Sequence, residues 1–526
     1  MGDIGKPLVP LSDFTCIRPH PYGVCPDGNK FFAEERNVQQ ISSVLSDELW
    51  QVVFSFCNGE TLGRIVQTCR EWYTAGHQPE LWRDLVLREC QSETLECVCA
   101  SWKDTFATRR LGKSCRHSPM SVSGVFSDYL HRTHACRSFE IPPSWYETRV
   151  GTVDRRENLG LDQFLQNYEQ PNVPVIMGGA ASSWKALKKW KCAEYLEENA
   201  VGKSFRATSG AAPLPAQFTM RAYLDYCQNA NLEEAPLYLF DRTALLNGPL
   251  RNDIYPDLER TCPHLDPKQH HENTHDLFQL FGEGKRPDHT WLIMGPKRSG
   301  SSFHIDPNAT HAWNAAIVGR KRWIFYPPGV TPPGVHPSAD GDHVAMPISL
   351  GEWLLNFWSD HQERIKKAPK SEQPLECTVE EGDIVFVPHG WWHMVINLDP
   401  INIAVTHNYV SRSNLSNVLR FLVHKQAQIS GCRDRKESIK PEDLFSEFRR
   451  VLMKHHPDWL EEASKTAEKE WTCPAWSTDV QPIRKRKRAQ RRTLRQKRII
   501  NDEKIGGLLA KATDAAEAQS FAFDFF

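Results

Sequence analysis

Two kinds of hydrophobic patterning divide the chain. Between Ile41 and Leu87 apolar residues recur at helical spacing: Leu49, Val52, Val53 and Phe56 make one stripe, and Leu62, Ile65, Val66 and Cys69 make a second. Ser46, with Glu48 and Leu49 behind it, offers an N-cap entry. The pattern predicts three short helices joined by tight turns, a unit too small to bury all its apolar surface alone. Further on the period shortens. "LDQFLQNYEQPNVPVIMGG" reads as a helix, a break at Pro171 and a buried strand. The segments "TWLIMG", "AWNAAIVG", "KRWIFYPP", "DIVFVP", "HMVINLD" and "NIAVTHNYV" follow as short strands separated by turn residues, which predicts a β-sandwich or barrel. Helical periodicity returns over residues 440–470.

These patterns give an α+β multidomain organisation. A Pro- and Gly-rich arm (1–40) precedes the helical unit (41–110). A Ser-, Gly- and Arg-containing linker (111–136) leads to the main β-rich domain (137–430), then C-terminal helices (431–475) and a tail (476–526). The chain has 526 residues, with charged and apolar fractions close to globular averages, so a sizeable core is affordable. Its 17 Trp and 35 Pro favour a loop-rich, sheet-containing protein over a long helical bundle.

Charge changes the picture at the tail. "RKRKRAQRRTLRQKR" (484–498) holds ten Lys or Arg and no acid; removing those ten from a net charge of −1 leaves −11 on the rest. Such a block reads first as a nuclear import signal, giving a nuclear and also cytoplasmic protein, second as an RNA or DNA contact, and third as a solvated tail. The start of the chain has no hydrophobic signal, and no apolar run approaches the ~18 residues of a membrane span. Fifteen scattered cysteines then read as reduced thiols. Cys90, Cys97, Cys99 and Cys115 lack the paired spacing of a zinc site. The four histidines of "CPHLDPKQHHENTHD" (262–276) read as a polar surface loop, and the ending "SFAFDFF" as a docking peptide for the body or for a partner.

Candidate chemistry lies in the strands. "GPKRSGSS" (295–302) mimics a phosphate loop, but Ser301 stands where that loop needs Lys and no helical pattern follows. His304 and Asp306, two apart on a strand, share a face and can converge on one ion. A third ligand comes from His389 or His393. His389, in the Pro388–Gly390 turn, is expected to face solvent; His393 opens a strand after Trp391 and Trp392, which are expected to pack the barrel mouth, so His393 is preferred. Two His and one carboxylate leave coordination positions open, as in non-haem Fe(II) oxygenases. In "VGRKRWIF" Lys321 can point inward, with Arg320 and Arg322 outward, and an inward Lys needs an anion; an exposed turn lysine fits the local pattern equally well.

Residues 140–425 resemble a Jumonji-C oxygenase, a double-stranded β-helix (jelly roll) of the cupin type. "PLYLFD" (236–241), "MGPKRSGSSFHIDPNATHAWNAAIVGRKRW" (294–323) and "FVPHGWWHMVINLD" (386–399) parallel the branch of arginine demethylases and lysyl hydroxylases once called phosphatidylserine receptors. The resemblance implies Fe(II) on His304, Asp306 and His393. It implies 2-oxoglutarate on Lys321 by a salt bridge, and on Tyr238, Asn314 and Thr406 by donated hydrogen bonds, with O₂ as co-substrate. Ser301 keeps the hydroxyl of the branch's Thr, and one extra residue near Pro400 precedes Thr406. "TCREWY" and "PELWRDL" resemble an F-box, with Leu45-Ser46 in place of that family's Leu-Pro; this implies docking of a Skp-type adaptor on residues 41–90. The implied function is a dioxygenase acting on Lys, or on methylated Arg or Lys, of a basic nuclear protein, which the acidic body would suit. The alternatives are an F-box ligase adaptor whose Jumonji-C domain only recognises a target, and an oxygenase of small molecules or RNA.

Overall fold

The computed structural model describes residues 45–471 apart from 91–92, 115–121, 149–150, 201–203, 211, 213, 230–232, 246–247, 255–275, 339–340, 342 and 433–435. The 1–40 arm, the histidine run up to His275, Cys115, the 484–498 tail and the aromatic ending lie outside the described residues.

Strict alternation builds the centre. In the strand His311–Val318, Trp313, Ala315 and Ile317 join the core beneath the helices, while Ala312 and Ala316 face the opposite way, against Trp323 and Phe325. The strand Lys321–Tyr326 alternates likewise: Trp323 and Phe325 turn inward, Ile324 and Tyr326 outward onto a second core with Trp353 and Leu354 of the helix Leu350–Lys367. Because both faces are covered, both strands are apolar almost throughout.

Two sheets result. The smaller runs Leu375–Val379, Lys321–Tyr326, Trp392–Asn397, Gly300–His304. The larger has ten strands, among them four neighbours in the order Thr290–Pro296, Ile401–Tyr409, His311–Val318 and Ile384–Val387. Pairing within both sets of four is antiparallel. Together they form the eight-stranded double-stranded β-helix, with Tyr238–Asp241 extending the larger sheet beside Thr290–Pro296.

The helical head differs from expectation in three ways. The stretch read as three helices contains four, Asp47–Ser55, Gly59–Ile65, Arg70–Gly76 and Pro79–Cys90, and Trp102–Leu111 follows as a fifth. The stripe Leu49, Val52, Val53 and Phe56 faces solvent, with Phe56 81% exposed, while Phe54 and Gln51 of the same helix are buried. The expected linker ends in a helix, Asp128–Ser138, so the 136/137 boundary falls inside an element packed on Leu350–Lys367; there a Cβ added at Gly351 would lie 2.1 Å from the Cys136 carbonyl oxygen.

The head is continuous with the barrel rather than tethered to it. Thr94–Leu95 adds a parallel edge strand to Ala216–Phe218, and one core runs from Phe54, Leu62 and Leu85 to Tyr223, Trp313 and Val405. At the seam the fully buried Arg83 donates to Glu233 (3.1 Å), whose other oxygen accepts from the Trp102 indole (2.7 Å). Burial raises the Glu233 pKa against the opposing pull of Arg83. Removing one partner of a buried pair strands the other charge, which costs about 3–5 kcal/mol. Arg83 also donates to Asp84 (3.0 Å), so Glu233 is the partner left stranded. Arg83→Met should therefore lower the unfolding free energy of the whole chain, read from urea melts, by that amount, and Arg83→Met with Glu233→Leu by much less; equal losses would mean that the pair itself, rather than a stranded charge, sets the cost.

Candidate metal centre

The antiparallel register of Gly300–His304 with Trp392–Asn397 places His393 directly opposite His304, their ring centroids 4.1 Å apart. Asp306 follows the strand end, at the entry to a turn in which Asn308 and Ala309 take positive φ values of 57° and 55°. Asn308 holds that turn: its amide donates to the Ser430 carbonyl and its oxygen accepts from the Ser430 N–H, both at 3.1 Å. One oxygen of Asp306 then lies 3.9 Å from His304 Nε2 and 3.8 Å from His393 Nε2. Among the described residues these three form the group of His, Cys, Asp and Glu able to hold a metal ion; Cys90, Cys97 and Cys99 join none.

The rings are oriented for ligation. His304 Nδ1 lies 2.8 Å from the Ser302 carbonyl and His393 Nδ1 3.1 Å from that of Trp391, so both Nδ1 atoms carry the proton and Nε2 faces the cluster. Burial lowers the pKa of His304 to about 3 and of His393 to about 4, which keeps both neutral, and raises that of Asp306 to about 6. The second Asp306 oxygen is buried with no hydrogen-bond partner. Two neutral imidazoles and an orphaned carboxylate oxygen are the donor set that suits a six-coordinate iron with open positions.

The centre lies in a cavity between the two sheets. Four residues further along the strand from Phe325, which sits opposite His393, is Lys321, 1% exposed. Its ammonium donates to the Tyr238 hydroxyl (2.9 Å) and to the Asn397 side-chain oxygen (2.7 Å), but it has no ion pair among the described residues. Burial alone lowers its pKa to about 7. The inward reading of Lys321 holds. Arg320 and Arg322 do point away, yet Arg322 is also buried, ion-paired to Glu376 against Trp145.

Asn314, Thr406, Tyr238 and Ser301 line the same cavity, and the buried Asn314 oxygen has no partner. Tyr238 accepts from Lys321 and so keeps its own proton to donate. Thr406 differs from expectation: its hydroxyl donates to the Trp313 carbonyl (3.0 Å), so it donates to a ligand only by giving up that bond. His389 also differs. It is half-buried, with the Asn417 amide 2.5 Å from its Nε2 and the ring of His311 5.0 Å away, and burial lowers its pKa to about 4. Trp391 packs on Phe325 inside the barrel end, whereas Trp392 joins the outer core. Sequence reading missed Asn397, Asn408, Trp291 and Phe240. Stepping two residues at a time from His393 and Thr406 reaches the first two.

A cupin-like domain family model matches residues 161–414 and an F-box-like model residues 47–88. The chain is 37% identical to the arginine-specific demethylase JMJ22 of Arabidopsis thaliana over 85% of its own length and 84% of the relative's. It is 35% identical to the bifunctional arginine demethylase and lysyl-hydroxylase psr-1 of Caenorhabditis elegans over 53% of this chain and 65% of that one. A third relative, the 2-oxoglutarate and iron-dependent oxygenase JMJD4 of Danio rerio, is 33% identical over 56% of this chain and 68% of its own.

A lysine buried without an anion destabilises the empty protein, and a dianion that pairs with it stabilises by mass action. Lys321→Met should leave the metal-free protein at least as stable as the parent. It should also abolish the rise in melting temperature that Mn(II) with 2-oxoglutarate gives the parent, as read by scanning calorimetry; an undiminished rise would remove Lys321 from the ligand's site.

Proposed function

The chain belongs to the cupin-like, Jumonji-C family of Fe(II)- and 2-oxoglutarate-dependent oxygenases and carries an F-box-like unit, and on that premise we propose that it oxidises protein side chains, demethylating methyl-arginine or methyl-lysine or hydroxylating lysine. The observation that carries the reading is the pairing of two sites in one cavity: a two-His, one-carboxylate cluster, and a buried lysine with no acidic partner among the described residues.

His304, Asp306 and His393 would hold iron, and Lys321, Tyr238, Asn314 and Thr406 would hold 2-oxoglutarate, with Ser301 beside them. Bound iron and 2-oxoglutarate supply the oxidising chemistry, in which O₂ gives one oxygen atom to succinate, released with CO₂, and the other to a substrate C–H bond. The protein's share is placement. Lys321 would meet the far carboxylate of the co-substrate, and the hydroxyl proton of Tyr238 would serve the same group. Ala312, Trp323, Val387 and Val395 keep the interior apolar and exclude water. Hydroxylation of a lysine carbon ends there. On an N-methyl group the N–C bond of the hydroxymethyl product breaks, its hydroxyl proton passes to nitrogen and the carbon leaves as formaldehyde.

The solvent-facing stripe on Asp47–Ser55 favours a second capacity. Leu49, Val52, Val53 and Phe56 form an exposed apolar face on the F-box-like unit, suited to the apolar surface of a Skp-type adaptor. The basic run 484–498 supports, by composition alone, nuclear import. Val53→Glu with Phe56→Asp should abolish capture of such an adaptor at unchanged melting temperature; retained capture would exclude this face.

The activity is tested by succinate release from the purified chain with Fe(II), 2-oxoglutarate and O₂ over basic peptides bearing Lys, methyl-Lys or methyl-Arg, with His304→Ala as blank. Gain of one oxygen atom in the peptide mass identifies hydroxylation and loss of a methyl demethylation. Succinate no higher than the blank for every peptide would overturn the reading.

A further inference from the structure

The cavity is also lined by two aromatic residues that neither the cluster nor the Lys321 pocket uses, Phe240 and Trp291. Across the larger sheet Trp291 lies beside Thr406, and Phe240 beside Ile293. Residues 291 and 293 share a face, so Trp291 and Phe240 are diagonal neighbours roughly 7–8 Å apart.

The charges nearby are already committed. Asp306 is the sole carboxylate among the described residues lining the cavity. Asp241, next to Phe240, accepts from the N–H groups of Thr243 and Ala244. Asp288 pairs with Arg242, and Asp276 with Arg286 and His407. Protein cations stand over other rings, such as Lys321 over Tyr238 at 5.4 Å, but none stands over the half-buried Trp291 among the described residues. A cationic side chain entering here meets aromatic faces and neutral hydrogen-bonding groups and, among the described residues, no carboxylate besides Asp306 of the cluster.

Such a surface discriminates between cations. A lysine ammonium is compact and strongly hydrated, and it loses that water without an acid to replace it. A guanidinium is planar, weakly hydrated and stacks on aromatic rings, and methylation removes donors that would otherwise need acceptors. Resting on the oxygenase reading above, we propose that Trp291, with Phe240 beside it, is a specificity-determining wall that selects an N-methylated arginine over an unmodified lysine.

The test measures binding rather than turnover. The full chain, loaded with Mn(II) and 2-oxoglutarate under nitrogen, is titrated by calorimetry with three peptides that differ at one central position: dimethylarginine, arginine or lysine. The dimethylarginine peptide should bind about tenfold tighter than the lysine peptide, as expected from one desolvated cation–π contact. Trp291→Leu should reduce that ratio to about twofold, Trp291→Phe should keep most of it, and Phe240→Leu should reduce it partially. Equal weakening of all three peptides in Trp291→Leu, a parent preference for lysine, or binding of none would each overturn the proposal. Thermal stabilisation by Mn(II) and 2-oxoglutarate, recorded on the same preparations, reports separately on the oxygenase reading: its absence would sink that reading whatever the peptide ranking.

Discussion

A lysine ammonium stands inside an apolar barrel with a phenol and an amide oxygen as partners and, among the described residues, no carboxylate. In an interior of low dielectric an unpaired charge is costly, and here burial has already brought the Lys321 pKa to about 7. The surroundings follow from that constraint. Tyr238 and Asn397 accept two of the ammonium's three protons without neutralising it, and Ser299 orients the Asn397 amide from behind at 2.8 Å. Ala312, small where its strand faces the cavity, leaves room for an anion to arrive. At the other end the requirement is reversed: two imidazoles kept neutral and a carboxylate with an unpaired oxygen call for a cation. One cavity thus has electrostatic needs of opposite sign at its two ends, and a chelated metal carrying a dicarboxylate meets both.

Local pattern made a large part of this legible. The period-2 strands from Thr290 to Tyr409 announced the sheets, and the two-residue step from His304 to Asp306, with His393 opening a strand, announced the cluster. Less legible were features set by partners distant in sequence. The Leu49–Phe56 stripe has the spacing of a core face, but the inward side of that helix belongs to Phe54 and Gln51, which meet residues of a later helix, the Trp72 ring and the Ala75 carbonyl. His389 reads as a turn residue until His311 and Asn417 close around it. The hydroxyl of Thr406 is claimed by the Trp313 carbonyl across a strand pair, a bond with no sequence signature. Trp291 and Phe240 read as plain strand aromatics, because only the register of three strands shows that they face the cavity beside Thr406.

The seam between head and barrel has the character of an interior. An edge strand, a shared core and the buried Arg83–Glu233 pair cross it, and Arg132 reaches from Asp128–Ser138 to Glu234 and Glu352. Rotating the head would expose apolar side chains and separate a buried ion pair, so the two parts move together.

That union sets a fixed bearing. The apolar face of Asp47–Ser55 and the aromatic rim at Trp291 belong to one solid body, so a protein seated on the first is held at a constant distance and azimuth from the second. The chain works as a gauge: how far along a docked partner's surface the cavity can reach is decided by the dimensions of the head rather than by the search of a flexible tether.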